Sequence, residues 1–183
     1  EPVEHYENPV LTASGEERTI YWHNTITRDE DGGVFEILSS GLDITDRVEA
    51  ERRHRVIFER AANPIARLAL DGTILDSNPQ TQRVFGYSAE ELRGKHTSLL
   101  IHPDDHQRMA VDLGDIRELG TYYQRQYRAL HRDGRTIDIE VDVTLIPDAQ
   151  GGQELICQVA DVSARVRSDR LERLSNRLLR IFH

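Results

Sequence analysis

Cysteine, methionine and tryptophan each occur once in the 183 residues, as Cys157, Met109 and Trp22. A lone cysteine excludes an internal disulfide and any paired-cysteine metal knuckle, and it fits a reducing compartment, so a cytoplasmic location is expected. No apolar run approaches the roughly 18 residues of a membrane span and no secretory leader is visible, which argues against direct membrane insertion. A basic excess is missing too. The formal charge of -9 and pI near 5.4 argue against a nucleic-acid surface. There is no G-x-x-x-x-G-K-[ST] loop, G-x-S-x-G elbow, H-E-x-x-H helix, kinase nucleotide box or G-G-D-E-F set. These residues are therefore not expected to form an enzyme on their own.

What is present is a repeated unit. From Ile137 the apolar residues fall on every second position, Ile137, Ile139, Val141, Val143 and Leu145, with Asp138, Glu140, Asp142 and Thr144 between them. Period two marks a strand with one buried and one wet face, and the acidic row reads as solvated. Pro147 to Gly152 supplies a turn, and Glu154 to Val162 a second strand that ends in Asp161-Val162-Ser163 before a charged helical tail. The same order occurs earlier, with Glu17 to about Arg28, a turn over residues 29–33, and Val34 to Leu42. Asp43-Ile44-Thr45-Asp46-Arg47-Val48 then matches Asp161-Val162-Ser163-Ala164-Arg165-Val166, both D-[IV]-[ST]-x-R-V. The two copies lie one domain length apart, beyond any solenoid period.

The division expected is residues 1–45 as the three-stranded back half of one domain, 46–62 a helical connector, 63–163 a complete copy, and 164–183 an amphipathic output helix. A length of 183 fits one domain plus a fragment, as if excised from a longer protein. Val3 to Thr12 completes a meander whose inner face needs cover from elsewhere. Thr45 is placed as the N-cap of the connector, whose apolar face is weak. In the complete copy, Ile65–Leu70 and Thr73–Ser77 form a hairpin about Asp71-Gly72. Asn78-Pro79 opens a short helix ended by Gly86, and Ser88 with Glu91 makes a capping box. His102-Pro103-Asp104-Asp105 opens a longer helix striped by Met109, Leu113 and Ile116 and ended by Gly120. Thr121 to Arg132 is a strand. In the tail, Leu171, Leu174, Leu178 and Ile181 are spaced three, four, three, an a/d seam that implies a parallel homodimer.

The residues Asp71-Gly72-Thr73-Ile74 ahead of Asn78, Phe85-Gly86-Tyr87-Ser88-Ala89-Glu90-Glu91-Leu92, Gly94, His102-Pro103-Asp104-Asp105, Arg132-Asp133-Gly134 and Asp161-Val162-Ser163 together resemble the PAS domain family. The resemblance covers roughly 52–163 as a whole domain and 1–45 as the C-terminal half of another. It implies an α+β fold, a five-stranded antiparallel sheet with short helices on one face. It also implies a sensory and dimerisation module that relays ligand or partner state to a C-terminal output domain. Arg173 to Leu179 resembles the segment before the dimerisation helix of sensor histidine kinases, whereas Phe182-His183 would suit entry into a diguanylate cyclase. A ligand-free spacer and a haem or flavin redox or gas sensor are the other readings.

Within that resemblance no cofactor is expected. A haem reading would need a histidine on the long helix, where Met109 stands and His106 lies nearer the start. The covalent flavin branch needs a cysteine on the helices, and Cys157 is on the last strand, as a buried, inert thiol. His102 and His106 read as part of a helix start rather than a metal pair. The ligand-pocket candidates are Asn78, Met109, Arg125, Tyr127 and Cys157. Asn78 is read chiefly as a helix cap; Tyr123, Arg125 and Tyr127 alternate on one strand, so that Arg125 would meet a carboxylate ligand if that side faced the helices. Asp43 with Arg47, and Asp161 with Arg165, are the candidates for signal relay, the carboxylate capping the new helix and pairing with the arginine four residues on.

Overall fold

The computed structural model describes the backbone of residues 3–28, 30–148 and 150–181, with side chains there except at 3, 4, 35, 117, 122, 123, 176 and 178–181. The chain divides into two compact units, residues 1–57 and 58–183.

The first unit is a meander of β1 (Val3–Leu11), β2 (Glu17–Arg28) and β3 (Val34–Asp43), all antiparallel, followed by α1 (Thr45–Arg60), which continues past the division. Gly41 faces Trp22 across the β2–β3 ladder, and a Cβ there would come within 2.9 Å of the indole. The indole N–H donates to Asn8 Oδ1 at 2.6 Å. Ile37, Leu38 and Leu42 stay exposed, and α1 buries no residue. Three strands without a covering layer leave such apolar positions wet.

The second unit is an α+β domain built on one five-stranded antiparallel sheet in the order β5-β4-β8-β7-β6. Its elements are β4 (Ile65–Leu68), β5 (Ile74–Ser77), α2 (Pro79–Phe85), α3 (Ala89–Leu92), α4 (His106–Leu119), β6 (Thr121–Leu130), β7 (Thr136–Pro147), β8 (Gln153–Asp161) and α5 (Ser163–Ile181). β7 lies between β8 and β6, and the alternation read from its sequence becomes burial. Ile137, Ile139, Val141 and Val143 are buried, Leu145 half-buried, with Leu155 and Cys157 beside them on β8. Phe85, Leu92, Leu100, Met109 and Ile116 come down from the helical side to close the core.

Local chemistry fixes the helical layer. Gly86 ends α2 in the left-handed region at φ +83, and a Cβ there would lie 2.9 Å from the His131 ring. Ser88 Oγ accepts the Glu91 amide at 3.3 Å while Glu91 Oε2 accepts the Ser88 amide at 2.9 Å, completing the capping box before α3. The His102-Pro103-Asp104-Asp105 segment forms a 3-10 turn ahead of α4. Asp105 does not cap α4. Its carboxylate turns to β6, where it accepts Arg128 Nη2 at 2.9 Å and the Arg128 amide at 2.8 Å. This clamp ties the start of α4 to the sheet.

Arg128 holds the Asp105 carboxyl down to about 2, against an ordinary 3.8. A lowered folded-state value means that the contribution is present above the unfolded pKa and is lost as pH falls through the folded one. The window is therefore about pH 4 down to pH 2, with at most about 2 kcal/mol at stake. Acid unfolding of Asp105→Asn, followed by circular dichroism, is expected to be less steep in that window and unchanged in slope near pH 7.

Candidate functional site

The space between the sheet and the helical layer is not completely filled. A cavity of about 70 Å³ is enclosed by Ala66, Ser77, Met109, Tyr127, Val141 and Cys157, among other, mostly apolar neighbours. A void of this volume costs about 2 kcal/mol relative to full packing. No Asp, Glu, Lys, Arg or His side chain lines it. Cys157 enters it as a neutral thiol, which burial pushes up to about 12. Ser77 is buried, and its hydroxyl has no hydrogen-bond partner among the described residues.

Met109, Tyr127 and Cys157 thus lie on the cavity, whereas Asn78 and Arg125 do not. Asn78 makes no side-chain cap to α2. It is 1% exposed, its Oδ1 accepts the Ile65 amide at 3.0 Å, and its Nδ2 donates to Phe58 O at 3.1 Å and Asn63 O at 3.0 Å. The capping role read from the sequence is replaced by a buried staple that joins the domain's entry to β4. Such local competition for backbone groups is invisible in a linear Asn-Pro signal.

Arg125 is corrected for a different reason. Between Tyr122 and Arg125 the β6–β7 register shifts, so the alternation from Tyr123 to Tyr127 is not continuous. Gln124 takes φ +55 there, and its amide donates to Asp142 Oδ1 at 2.7 Å. Beyond this bulge, Arg125 Nε pairs at 3.5 Å with Asp112 of α4, which also accepts the Tyr127 hydroxyl. Asp112 is buried and occupies the place that a carboxylate ligand was expected to take. The sequence reading missed it because an isolated Asp on a helix carries no pattern.

The fit to a haem or flavin is poor. A cofactor of that size needs a pocket of at least about 300 Å³. His106 Nε2 lies 2.8 Å from Ile101 O and 3.1 Å from Ser98 O, so it is an N–H donor to carbonyls and not an available ligand. His102 instead caps the 3-10 turn, its Nδ1 accepting the Asp104 amide at 3.3 Å. Among the described residues no group of His, Cys, Asp and Glu has the geometry of a metal site.

The two Asp–Arg positions form matching corners. Asp161 Oδ1 accepts the Ser163 amide at 2.9 Å, Ser163 Oγ accepts the Asp138 amide at 3.1 Å, and Asp138 O accepts the Val162 amide at 2.8 Å. In the first unit, Asp43 Oδ1 accepts the Thr45 amide at 3.0 Å, Thr45 Oγ1 accepts the Thr19 amide at 2.8 Å, and Thr19 O accepts the Ile44 amide at 2.9 Å. So Asp43, not Thr45, holds the start of α1, and the threonine hydroxyl serves the neighbouring strand. The expected i,i+4 pairs do not form. Arg165 reaches Glu140 Oε2 at 2.6 Å, and Arg47 reaches Glu7 Oε1 at 3.1 Å. The acidic row on β7 is accordingly engaged rather than merely solvated: Arg165 and Gln126 meet Glu140, and the bulge amide meets Asp142. Leu171 and Leu174 on α5 are exposed; the side chains of Leu178 and Ile181 lie outside the described residues.

Residues 74–159 match the family described as PAS fold. The second unit is a PAS domain. A solved PAS domain of a Colwellia psychrerythraea protein covers 63% of this chain and 98% of its own, at 21% identity and a TM-score of 0.58. The biofilm dispersion protein BdlA of Pseudomonas aeruginosa is 26% identical over 171 residues, 90% of this chain and 41% of that protein. The sensor histidine kinase TmoS of Ectopseudomonas mendocina is 26% identical over 113 residues, 61% of this chain and 12% of that protein. The chain thus spans less than half the length of either relative. PAS domains of this kind are sensory parts of signalling proteins, and no helix among the described residues is long and apolar enough to cross a membrane.

Asn78→Ala leaves the buried Ile65 amide and two carbonyls without their partner. Urea unfolding of the PAS unit is expected to show a loss of about 2 to 4 kcal/mol. A loss under about 0.5 kcal/mol, the level of an ordinary surface change, would contradict the staple.

Proposed function

We propose that this chain is the sensory and dimerisation segment of a sensor histidine kinase, in which the PAS domain passes the state of its cavity or partner through α5 to a C-terminal output domain. The observation that carries this reading is the corner at Asp161. There the last strand, the neighbouring β7 and the first turn of α5 share one chain of hydrogen bonds. A displacement of β7 or β8 is thereby transferred to the helix that leaves the domain. Kinase output is favoured over a diguanylate cyclase by the resemblance of Arg173 to Leu179 and by the match to TmoS. The first unit is read as the C-terminal half of a second PAS domain. The repeated corner supports this, as does the BdlA match, whose 90% coverage of the chain runs through both units.

The same reading makes α5 half of a parallel homodimer, its leucine seam meeting a twin in the cytoplasm. Leu171 is 63% and Leu174 51% exposed, more than an unpaired apolar stripe favours. Because Cys157 is buried and protonated, a single added cysteine reports cleanly. Leu171→Cys and Leu174→Cys are expected to form disulfide-linked dimers under mild oxidation, while Arg170→Cys and Arg173→Cys cross-link several-fold less. Introducing Arg165→Ala into the full-length parent is expected to change regulated autophosphorylation without changing that cross-linking pattern. Equal cross-linking at all four positions, or a monomer in sedimentation, would overturn the dimer reading.

A further inference from the structure

The cavity under the PAS sheet holds one polar atom that the fold leaves unused. Ser77 Oγ is buried, has no partner among the described residues, and belongs to the cavity wall. A buried hydroxyl without a partner is a cost that folded proteins usually remove. Of the other polar side chains on the wall, Thr97 is only half-buried and the rest are engaged or inert. Tyr127 donates to Asp112, Thr81 Oγ1 lies 3.4 Å from Asn78 Oδ1, and Cys157 is a protonated thiol. Water is badly held in such a place, since a buried water needs two to four polar partners and Ser77 Oγ is the one buried side-chain atom of this wall left without one.

Size and charge narrow the occupant. About 70 Å³ is roughly half of a cavity that admits benzene, which sets about three to five heavy atoms. No ionisable cation faces the space, and Arg125 is paired with Asp112 outside it, so a carboxylate would be buried without compensation. Met109 and Leu113 form a wall shared with a surface groove of about 290 Å³ beside Asp71 and His96. The unbranched Met109 side chain can swing without a backbone change, which makes that wall the entry route.

We propose that the cavity takes a neutral aliphatic molecule of about three to five heavy atoms with one hydroxyl or carbonyl group, held by Ser77 Oγ and admitted past Met109. This rests on the sensory reading above and gives its ligand a chemical class. A ligand of this size binds no tighter than about 0.5 mM for three heavy atoms and about 3 µM for five. The mode is simple: the hydroxyl of Ser77 gains its missing hydrogen bond and the apolar wall gains the contacts the void withholds.

The test is a titration of the 183-residue chain with 1-butanol, 2-butanone and butanoate at pH 7, followed by methyl chemical shifts of residues on the cavity wall such as Val141. Saturable shifts are expected with butanol and butanone and none with butanoate. Ser77→Ala is expected to keep the fold, with an unchanged or higher unfolding midpoint, and to weaken butanol binding about five- to tenfold. Met109→Ala, which enlarges the wall, is expected to admit 1-hexanol. Non-saturable shifts with butanol up to about 50 mM, well above the affinity ceiling, would overturn the proposal. Equal affinity in Ser77→Ala would overturn it too. A preference for butanoate, or a different molecule carried through purification, overturns the ligand class and leaves the sensory reading standing. Unaltered regulation of the parent by a cavity-filling Ala66→Leu variant removes both.

Discussion

The proposed relay depends on a three-bond chain at the corner of the sheet. The Asp161 carboxylate fixes the Ser163 amide, the Ser163 hydroxyl fixes the Asp138 amide, and the Asp138 carbonyl fixes the Val162 amide. Each bond alone contributes about 1 kcal/mol. Their value lies in joining three backbones, so that α5 cannot turn without moving β7. Arg165 on Glu140 adds a fourth tie two residues further on. The pair is partly exposed and worth little as stability, so its role is to set the direction in which the helix leaves. The first unit builds the corner from Asp43, Thr45 and Thr19 in the same order. In the proposed relay this recurring set of hydrogen bonds is the joint.

Behind the corner, the packed part and the unpacked part of the domain divide the work. Ile137, Val143 and Leu155 are close to fully buried and make up the packed part of the sheet. Ser77, Met109, Val141 and Cys157 border a void, where contacts are missing and small changes are cheap. Val141 and Cys157 lie on β7 and β8, the strands that meet at the corner. In the proposed relay, what fills the void acts on the strands that hold α5. Charge is kept out of this path: Asp105 and Arg128 close on one another at the start of α4, and Asp112 takes Tyr127 and Arg125.

Much of this fold was legible before any coordinates. Period two over Ile137 to Leu145 placed β7 and its buried face. The turns at Asp71-Gly72 and Gly86 and the capping box at Ser88 placed the small elements, because each depends on residues a few positions apart. The site was legible in part. Met109, Tyr127 and Cys157 were drawn to the interior by being apolar or aromatic on periodic elements. Asn78 was read as a cap, since its true partners, the backbones of Phe58, Asn63 and Ile65, are set by tertiary folding. Arg125 does share a side with Tyr127, opposite Val141 and Ile139, and what the sequence could not show is that Asp112 of α4 meets it there. Likewise the partners of Arg47 and Arg165 are 40 and 25 residues away, not four. Ser77 carried no signal at all; only a missing hydrogen bond distinguishes it.

The claim that the sheet and the outgoing helix form one lever is tested most directly by native-state amide hydrogen exchange of the 183-residue chain. If the corner is a rigid joint, the Asp138, Val162 and Val166 amides open with the same free energy as Val143 and Leu155 in the sheet core. Ser163→Ala then lowers protection on both sides of the corner together. Exchange of the Val162 and Val166 amides at the rate of a fraying helix, with the core untouched by Ser163→Ala, would contradict it.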